Sequence, residues 1–406
     1  MRAARGGADN PRGECHGSTL EAHLFRVEST RTSRAASHWT AGLARVAISL
    51  GALLALPAVE AQAQGSCGST GPIAPALLER SGCQLGSLGL VPLTDLGCRT
   101  YRGYEGGLYP GGANEMPVEH LRAGFTASSG VVPRGPDGKA SPVDGVIGFA
   151  SIGMSNTEME FGWFETAALA TPGLNPKVIR VNGAQGTRTA DQWADPSSLV
   201  WDVLDERLAA AGLTRNQLQV VWVKLAEGNP ARLGSFPAHA QRLAADIAVT
   251  LLIAKARYPN LALAYLSTRT RAYTTISDSL NPEPFAYESG FAVKWLVQQQ
   301  IAGSPLLRFE GDDPPAPWLA WGPYLWADGT TPRADGFTWE CSDTTGDYVH
   351  PSFAGQAKIA DLLVTFFQTD PTAKRWFLAP ADGCGLLGIE PVLALVVARA
   401  LRRRMR

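Results

Sequence analysis

Histidine is scarce in this chain. Only six occur, and His16, His23 and His38 fall in the first 63 residues, so His120, His239 and His350 carry any imidazole chemistry of the folded body. Cysteine is sparse too and never shows the C-x-x-C spacing of a zinc site. Charge of one sign is missing: 36 Lys and Arg face 37 Asp and Glu, for a net charge of -1. That balance gives no electrostatic footprint for a nucleic-acid partner. No His/Asp cluster stands at ligand spacing, which sets aside a metal-dependent hydrolase, and nothing implies a cofactor. There is no internal repeat.

What is present suits a large exported protein. The 406 residues, 45% hydrophobic and 18% charged, suffice for one large domain or two smaller ones. The 43 glycines and 28 prolines point to a loop-rich chain, and the persistent apolar segments argue against disorder. Arg45 precedes an apolar run from Val46 to Val59, and Ala61-Gln62-Ala63 supplies small residues at a cleavage position. A positive flank, a short apolar core and an A-x-A site make a secretory signal peptide. The run is too short to favour a transmembrane helix. Residues 1–63 are therefore read as a leader, with the polar, Arg-rich first 40 as either a long leader or an early start codon.

The segment 379–406 forms a tail. Leu386 to Leu401 is largely apolar, broken by Glu390 and Pro391, and Arg402, Arg403, Arg404 and Arg406 follow. With Gly383-Cys384-Gly385 ahead of it, the tail resembles the C-terminal sorting signals of bacterial surface proteins. The other reading is an amphipathic helix packed on the domain. Export makes disulfides plausible. Cys67, Cys83, Cys98 and Cys341 lie in the body, and four cysteines allow three pairings that sequence alone leaves open.

Residues 64–145 are Gly- and Pro-rich with little periodicity. Within them, Tyr101-Arg102-Gly103-Tyr104-Glu105-Gly106-Gly107-Leu108-Tyr109 interleaves aromatics with glycines. This suits a surface that stacks on a flat ligand such as a sugar, with Tyr104, Tyr109 and Trp321 as its binding residues, or a structural loop over a sheet edge. From Val146 the pattern becomes regular. Strands are expected at 146–152, 177–181, 219–223 and 261–266, with a fifth inside 318–326. Helices are expected at 158–169, 196–211, 237–258, 285–301 and 352–367. Strand alternating with helix at these lengths predicts a three-layer α/β/α domain over 146–378, with a mainly parallel, flavodoxin-like sheet of about five strands.

Three places on that pattern carry chemistry. Gly153-Met154-Ser155-Asn156 ends the first strand abruptly; Ser155 is either a nucleophile or a helix cap, since Ser followed by Glu158 makes a capping box. Asn182-Gly183-Ala184-Gln185-Gly186-Thr187 follows the second strand. Asp347-Tyr348-Val349-His350-Pro351 precedes the last helix, where an Asp three residues before a His can fold back onto its imidazole. His239, inside a long helix, and His120 read as structural.

Together these motifs resemble the SGNH hydrolases, the GDSL-type esterase and lipase superfamily. The resemblance covers about 146–378 and implies that Ser155 is the nucleophile, His350 the base and Asp347 its orienting acid. It implies oxyanion donors at the Ser155 and Gly186 amides and at an Asn after the third strand. Two departures mark a divergent member. Met154 stands where the family usually has Asp. The Gly-x-Asn-Asp block is absent, leaving Asn229 beyond the third strand, or the Lys224 ammonium, to complete the hole. The implied function is an exported esterase that removes acetyl or similar acyl groups, with acylated carbohydrate as substrate and the membrane as a partner through the tail. A lipid ester, or an inactive surface binding protein on the same scaffold, are the alternatives.

Overall fold

The computed structural model describes Cys83, residues 86–276 and residues 281–380. The leader, most of the tail, and Cys67 and Cys384 lie outside the described residues. Short apolar runs rich in β-branched and aromatic residues give the five strands of the main sheet: β1 (Ile147–Gly153), β2 (Val178–Val181), β3 (Leu218–Lys224), β4 (Leu263–Leu266) and β5 (Trp318–Trp321). They form one sheet in the order β2-β1-β3-β4-β5, every neighbouring pair parallel. That is the flavodoxin-like order.

All residues of β1 and β3 are buried, because a parallel sheet is covered on both faces. Six longer helices do the covering: α1 (Val118–Ser129), α2 (Ser155–Leu169), α3 (Val200–Ala210), α4 (Ala238–Arg257), α5 (Phe285–Ile301) and α6 (Phe353–Thr369). The period-2 alternation of the strands sorts their side chains between two cores. Ile152, Val221, Val223 and Leu266 pack with Leu204 of α3, Leu251 of α4 and Phe291 of α5. Phe149, Val220, Trp222 and Tyr265 pack with Phe161 and Phe164 of α2 and Ile359, Leu363 and Phe367 of α6. The result is three layers.

Strand register positions the site. Gly153 pairs with Lys224, Val223 with Leu266, and Leu266 with Trp321, so the strands end level and their following turns gather along one edge. Ligands of open α/β sheets bind at that edge.

The aromatic stretch ahead of the sheet proves to be structural. Tyr101 and Tyr109 are buried, and so is Trp321, whose Nε1–H donates to the Leu108 carbonyl at 2.6 Å. Tyr104 packs against Phe236 and Trp295 with ring centroids 5.2 and 5.1 Å away. The buried Lys294 ammonium of α5 donates to the Gly106, Gly107 and Tyr109 carbonyls, tying this loop onto the helix. Gly107 makes the close approach feasible: at φ 71°, an added Cβ would lie 2.3 Å from the Gly112 carbonyl carbon. Tyr109 and Trp321 therefore belong to the core and half-buried Tyr104 packs against it, so the expectation that they stack on substrate is corrected.

Cys83 and Cys341 form a disulfide with Cα atoms 5.3 Å apart, and Cys98 is disulfide-bonded as well. Among the described residues, no helix is long and apolar enough to cross a membrane.

Candidate active site

The β1–α2 turn is tight for a readable reason. A Cβ on Gly153 would lie 2.3 Å from Thr157 Oγ1 and 2.6 Å from the Lys224 carbonyl oxygen, so only glycine fits where helix and strand cross. Thr157 uses that closeness to donate to the Lys224 carbonyl at 2.8 Å, fixing α2 to the end of β3. Met154, not Ser155, takes the N-cap place (φ -98°, ψ -170°). Ser155 is the first helical residue, and its hydroxyl lies 2.6 Å from His350 Nε2. The capping-box reading therefore does not describe this turn: Glu158 also turns elsewhere, as shown below.

The second half of the site is the 343–352 loop. It is closed at its base by Ser352 N–H to Asp343 O (2.8 Å) and Thr345 N–H to His350 O (2.7 Å). Asp347 folds back as its spacing suggested. Its Oδ2 meets His350 Nδ1, and its Oδ1 accepts from the His350 amide (2.9 Å), the Val349 amide (3.0 Å) and the Thr345 hydroxyl (2.9 Å). Partial burial alone would raise the Asp347 pKa, but the His350 ring followed by these donors outweighs it and lowers the value to about 2. Asp347 thus stays ionised beside the ring. With the ring proton on Nδ1, Nε2 is free to accept from Ser155.

Two groups outside the loop hold His350 over Ser155. The buried Asn156 side chain donates to the Val349 carbonyl at 2.8 Å, and the Tyr273 amide donates to the Tyr348 carbonyl at 2.8 Å. Sequence reasoning passed over Asn156, although its place directly after Ser155 was a signal. Tyr348 adopts φ +64°, a left-handed conformation rare for a non-glycine residue, and is 36% exposed.

The oxyanion side departs from expectation. Gly186 lies beside Ser155: a Cβ placed on it would be 3.9 Å from Ser155 Cβ. Its amide, however, donates to Glu158 Oε2 at 3.0 Å. Lys224 does not reach the site at all. Its buried ammonium sits 2.5 and 2.6 Å from the two oxygens of buried Glu160, one helical turn beyond Asn156 on the inner face of α2. Burial lowers the Lys224 pKa to about 8, with Glu160 opposing the shift. An ammonium needs a partner in the interior, and the one available is Glu160, so Lys224 is removed as an oxyanion donor. Asn229 is half-buried at φ 57°, ahead of the Pro230–Leu233 turn.

Among the described residues, the other two histidines are structural. His120 Nε2 bonds the Leu319 carbonyl at 2.8 Å and its ring stacks on Trp318, while His239 is buried against Glu288. Among the described residues, no group of three or more His, Cys, Asp or Glu could hold a metal ion.

No family model and no curated protein matches the chain. The solved structures similar to it include the following two. One is a lipolytic protein of the G-D-S-L family from Desulfitobacterium hafniense, at 12% identity and a TM-score of 0.31, covering 54% of this chain and 98% of that one. The other is the C-terminal catalytic domain of peptidoglycan O-acetyltransferase A from Streptococcus pneumoniae, at 16% identity and a TM-score of 0.29, covering 58% and 98%. The strand order is that of a flavodoxin-like sheet, and the Ser155 turn and the Asp347–His350 loop meet at one edge of it.

Proposed function

We propose that this protein is a serine-dependent acyl-ester enzyme whose nucleophile is Ser155. The observation that carries the reading is the continuous chain from Ser155 Oγ to His350 Nε2 (2.6 Å) and from His350 Nδ1 to Asp347. A free hydroxyl is a weak nucleophile, and an adjacent imidazole base is what activates it. Ser155 Oγ attacks the ester carbonyl as His350 Nε2 takes its proton, and Asp347 stabilises the imidazolium. The proton then passes to the leaving alkoxide, and an acyl group remains on Oγ. Water, or another alcohol, enters by the same base and releases Ser155.

The Ser155 amide, at the first helical position, has no intrahelical acceptor and points toward the developing oxyanion in this scheme. As substrate we propose acetyl or similar short acyl esters, carried by carbohydrate. What supports carbohydrate is no longer the aromatic group of Tyr104, Tyr109 and Trp321, whose rings pack in or against the core. It is the exposure of Tyr348, inside the catalytic loop, and of Phe353, just after it (76% exposed), since aromatic faces stack on sugar rings. The leader-like segment 1–63 supports work outside the cytoplasm.

The test is hydrolysis of p-nitrophenyl acetate by the purified protein and by Ser155→Ala. The variant is expected to fall to the uncatalysed background. A non-catalytic binding protein on this scaffold predicts equal background rates in both, and that result would remove the reading.

A further inference from the structure

Glu158 stands three residues after Ser155, on the same face of α2. Its Oε2 accepts the Gly186 amide at 3.0 Å and lies 3.6 Å from where a Gly186 Cβ would be, the same point that is 3.9 Å from Ser155 Cβ. Carboxylate, Gly186 and nucleophile therefore converge on one spot. The other oxygen, Oε1, accepts from Arg207 Nη2 at 3.1 Å. Arg207 is itself held by the Asn182 and Ala184 carbonyls at 2.7 and 2.6 Å, and Asn182 Nδ2 returns to the Glu158 carbonyl at 2.7 Å. Side-chain exposure of Glu158 is 37%, so the carboxylate is reachable by whatever approaches Ser155.

These contacts orient the charge. Arg207 neutralises the far oxygen and is anchored away from the nucleophile by two backbone carbonyls. The near oxygen presents the negative end of the pair to the space beside Ser155. An acyl group carried on Ser155 Oγ lies next to that space. A short uncharged acyl group carries no charge for the carboxylate to repel. An acyl group with its own carboxylate meets like charge at close range, where water is partly excluded and repulsion exceeds its value in bulk solvent.

We propose that Glu158 is the acyl-specificity residue of this site, admitting uncharged acyl groups and rejecting anionic ones. The proposal rests on the serine-esterase reading and goes beyond it by naming the acyl class and the residue that selects it. Glu158 does not take part in proton transfer; it acts by charge and position.

The experiment compares kcat/KM for p-nitrophenyl acetate and for the anionic p-nitrophenyl hemisuccinate, using the full chain, Glu158→Gln and Glu158→Ala. The wild type is expected to prefer acetate beyond the intrinsic reactivity of the two esters. Both variants are expected to narrow that preference by about tenfold, a change that loosening of the 182–186 loop would not produce, because it would slow both esters together. A measurement on the wild type alone guards against misfolded variants: raising salt screens the repulsion and should narrow the preference in the same direction. Covalent labelling of Ser155 by a fluorophosphonate runs alongside. A labelled wild type whose preference is unchanged in both variants and by salt would overturn the role of Glu158 alone. An unlabelled wild type would overturn the esterase reading and this proposal with it.

Discussion

The two sides of this site are built differently. On the base side, Ser155, His350 and Asp347 are in hydrogen-bond contact, and the loop carrying the last two is pinned by Asn156, Tyr273 and its own closing bonds. On the oxyanion side, the Gly186 amide is occupied by Glu158 and Lys224 is turned inward to Glu160. The contrast separates a side built on fixed side-chain geometry from one built on interchangeable donors. Proton transfer needs three side chains at fixed separations, whereas oxyanion stabilisation needs only donors, which different backbone and side-chain groups can supply.

The base side breaks most severely at Asp347. Asp347→Asn keeps the shape of the loop but presents the ring with the wrong tautomer, and kcat is expected to fall by about 10⁴-fold with little change in KM. A loss under tenfold would mean that His350 is oriented by something else.

The oxyanion side makes the opposite prediction for Lys224. Removing one partner of a buried ion pair leaves an uncompensated charge, so Lys224→Met is expected to lose about 3–5 kcal/mol in urea unfolding. Replacing Glu160 with Leu in addition should restore most of it. The folded fraction of the single variant should keep kcat within about threefold. A loss of 10²–10³-fold in folded protein would put the ammonium back at the oxyanion.

Near the same sheet edge, buried Glu227 is held protonated well above the ordinary carboxylate range, by burial first and then by the adjacent Asp246 charge. Since the folded state retains a proton that the unfolded state releases above 4.5, this group makes stability fall as pH rises from that value. Glu227→Gln should flatten that decline in a series of thermal melts, without altering the relative activity of Ser155. An unchanged pH slope would show that Glu227 ionises freely.

The smallest effect is expected outside the site. Trp321→Phe removes the bond to the Leu108 carbonyl and should cost about 1 kcal/mol of stability with KM for a glycoside acetate unchanged. A raised KM at constant stability would return the ring to substrate binding.

Most of the fold was legible. The helix expected at 285–301 is found as Phe285–Ile301, and the strands expected at 177–181 and 219–223 appear as Val178–Val181 and Leu218–Lys224. These elements have strong apolar periodicity, so local pattern and tertiary packing agree. Helix α1 was missed because its buried positions are His120, Gly124 and Ser128, which leave no apolar stripe. Gly124 is there for closeness, since a Cβ would lie 2.3 Å from the Trp318 ring. The positions of Ser155, Asp347 and His350 could be read because each follows a strand or precedes a helix at a motif. Lys224, Tyr104 and Trp321 were misplaced for one reason. A sequence shows which residues could bind a ligand, but partners such as Glu160 and the Leu108 carbonyl lie 64 and 213 positions away and claim them first.

The central claim is that Ser155 is activated by His350, and covalent capture tests it most directly. The full chain is treated with a fluorophosphonate and digested, and the modified peptide is located by mass spectrometry. The account predicts a single adduct on Ser155 in the wild type, formed at least 10²-fold more slowly in His350→Ala, as loss of a positioned base implies. An adduct on another serine, or labelling of Ser155 at the same rate in both proteins, would contradict it.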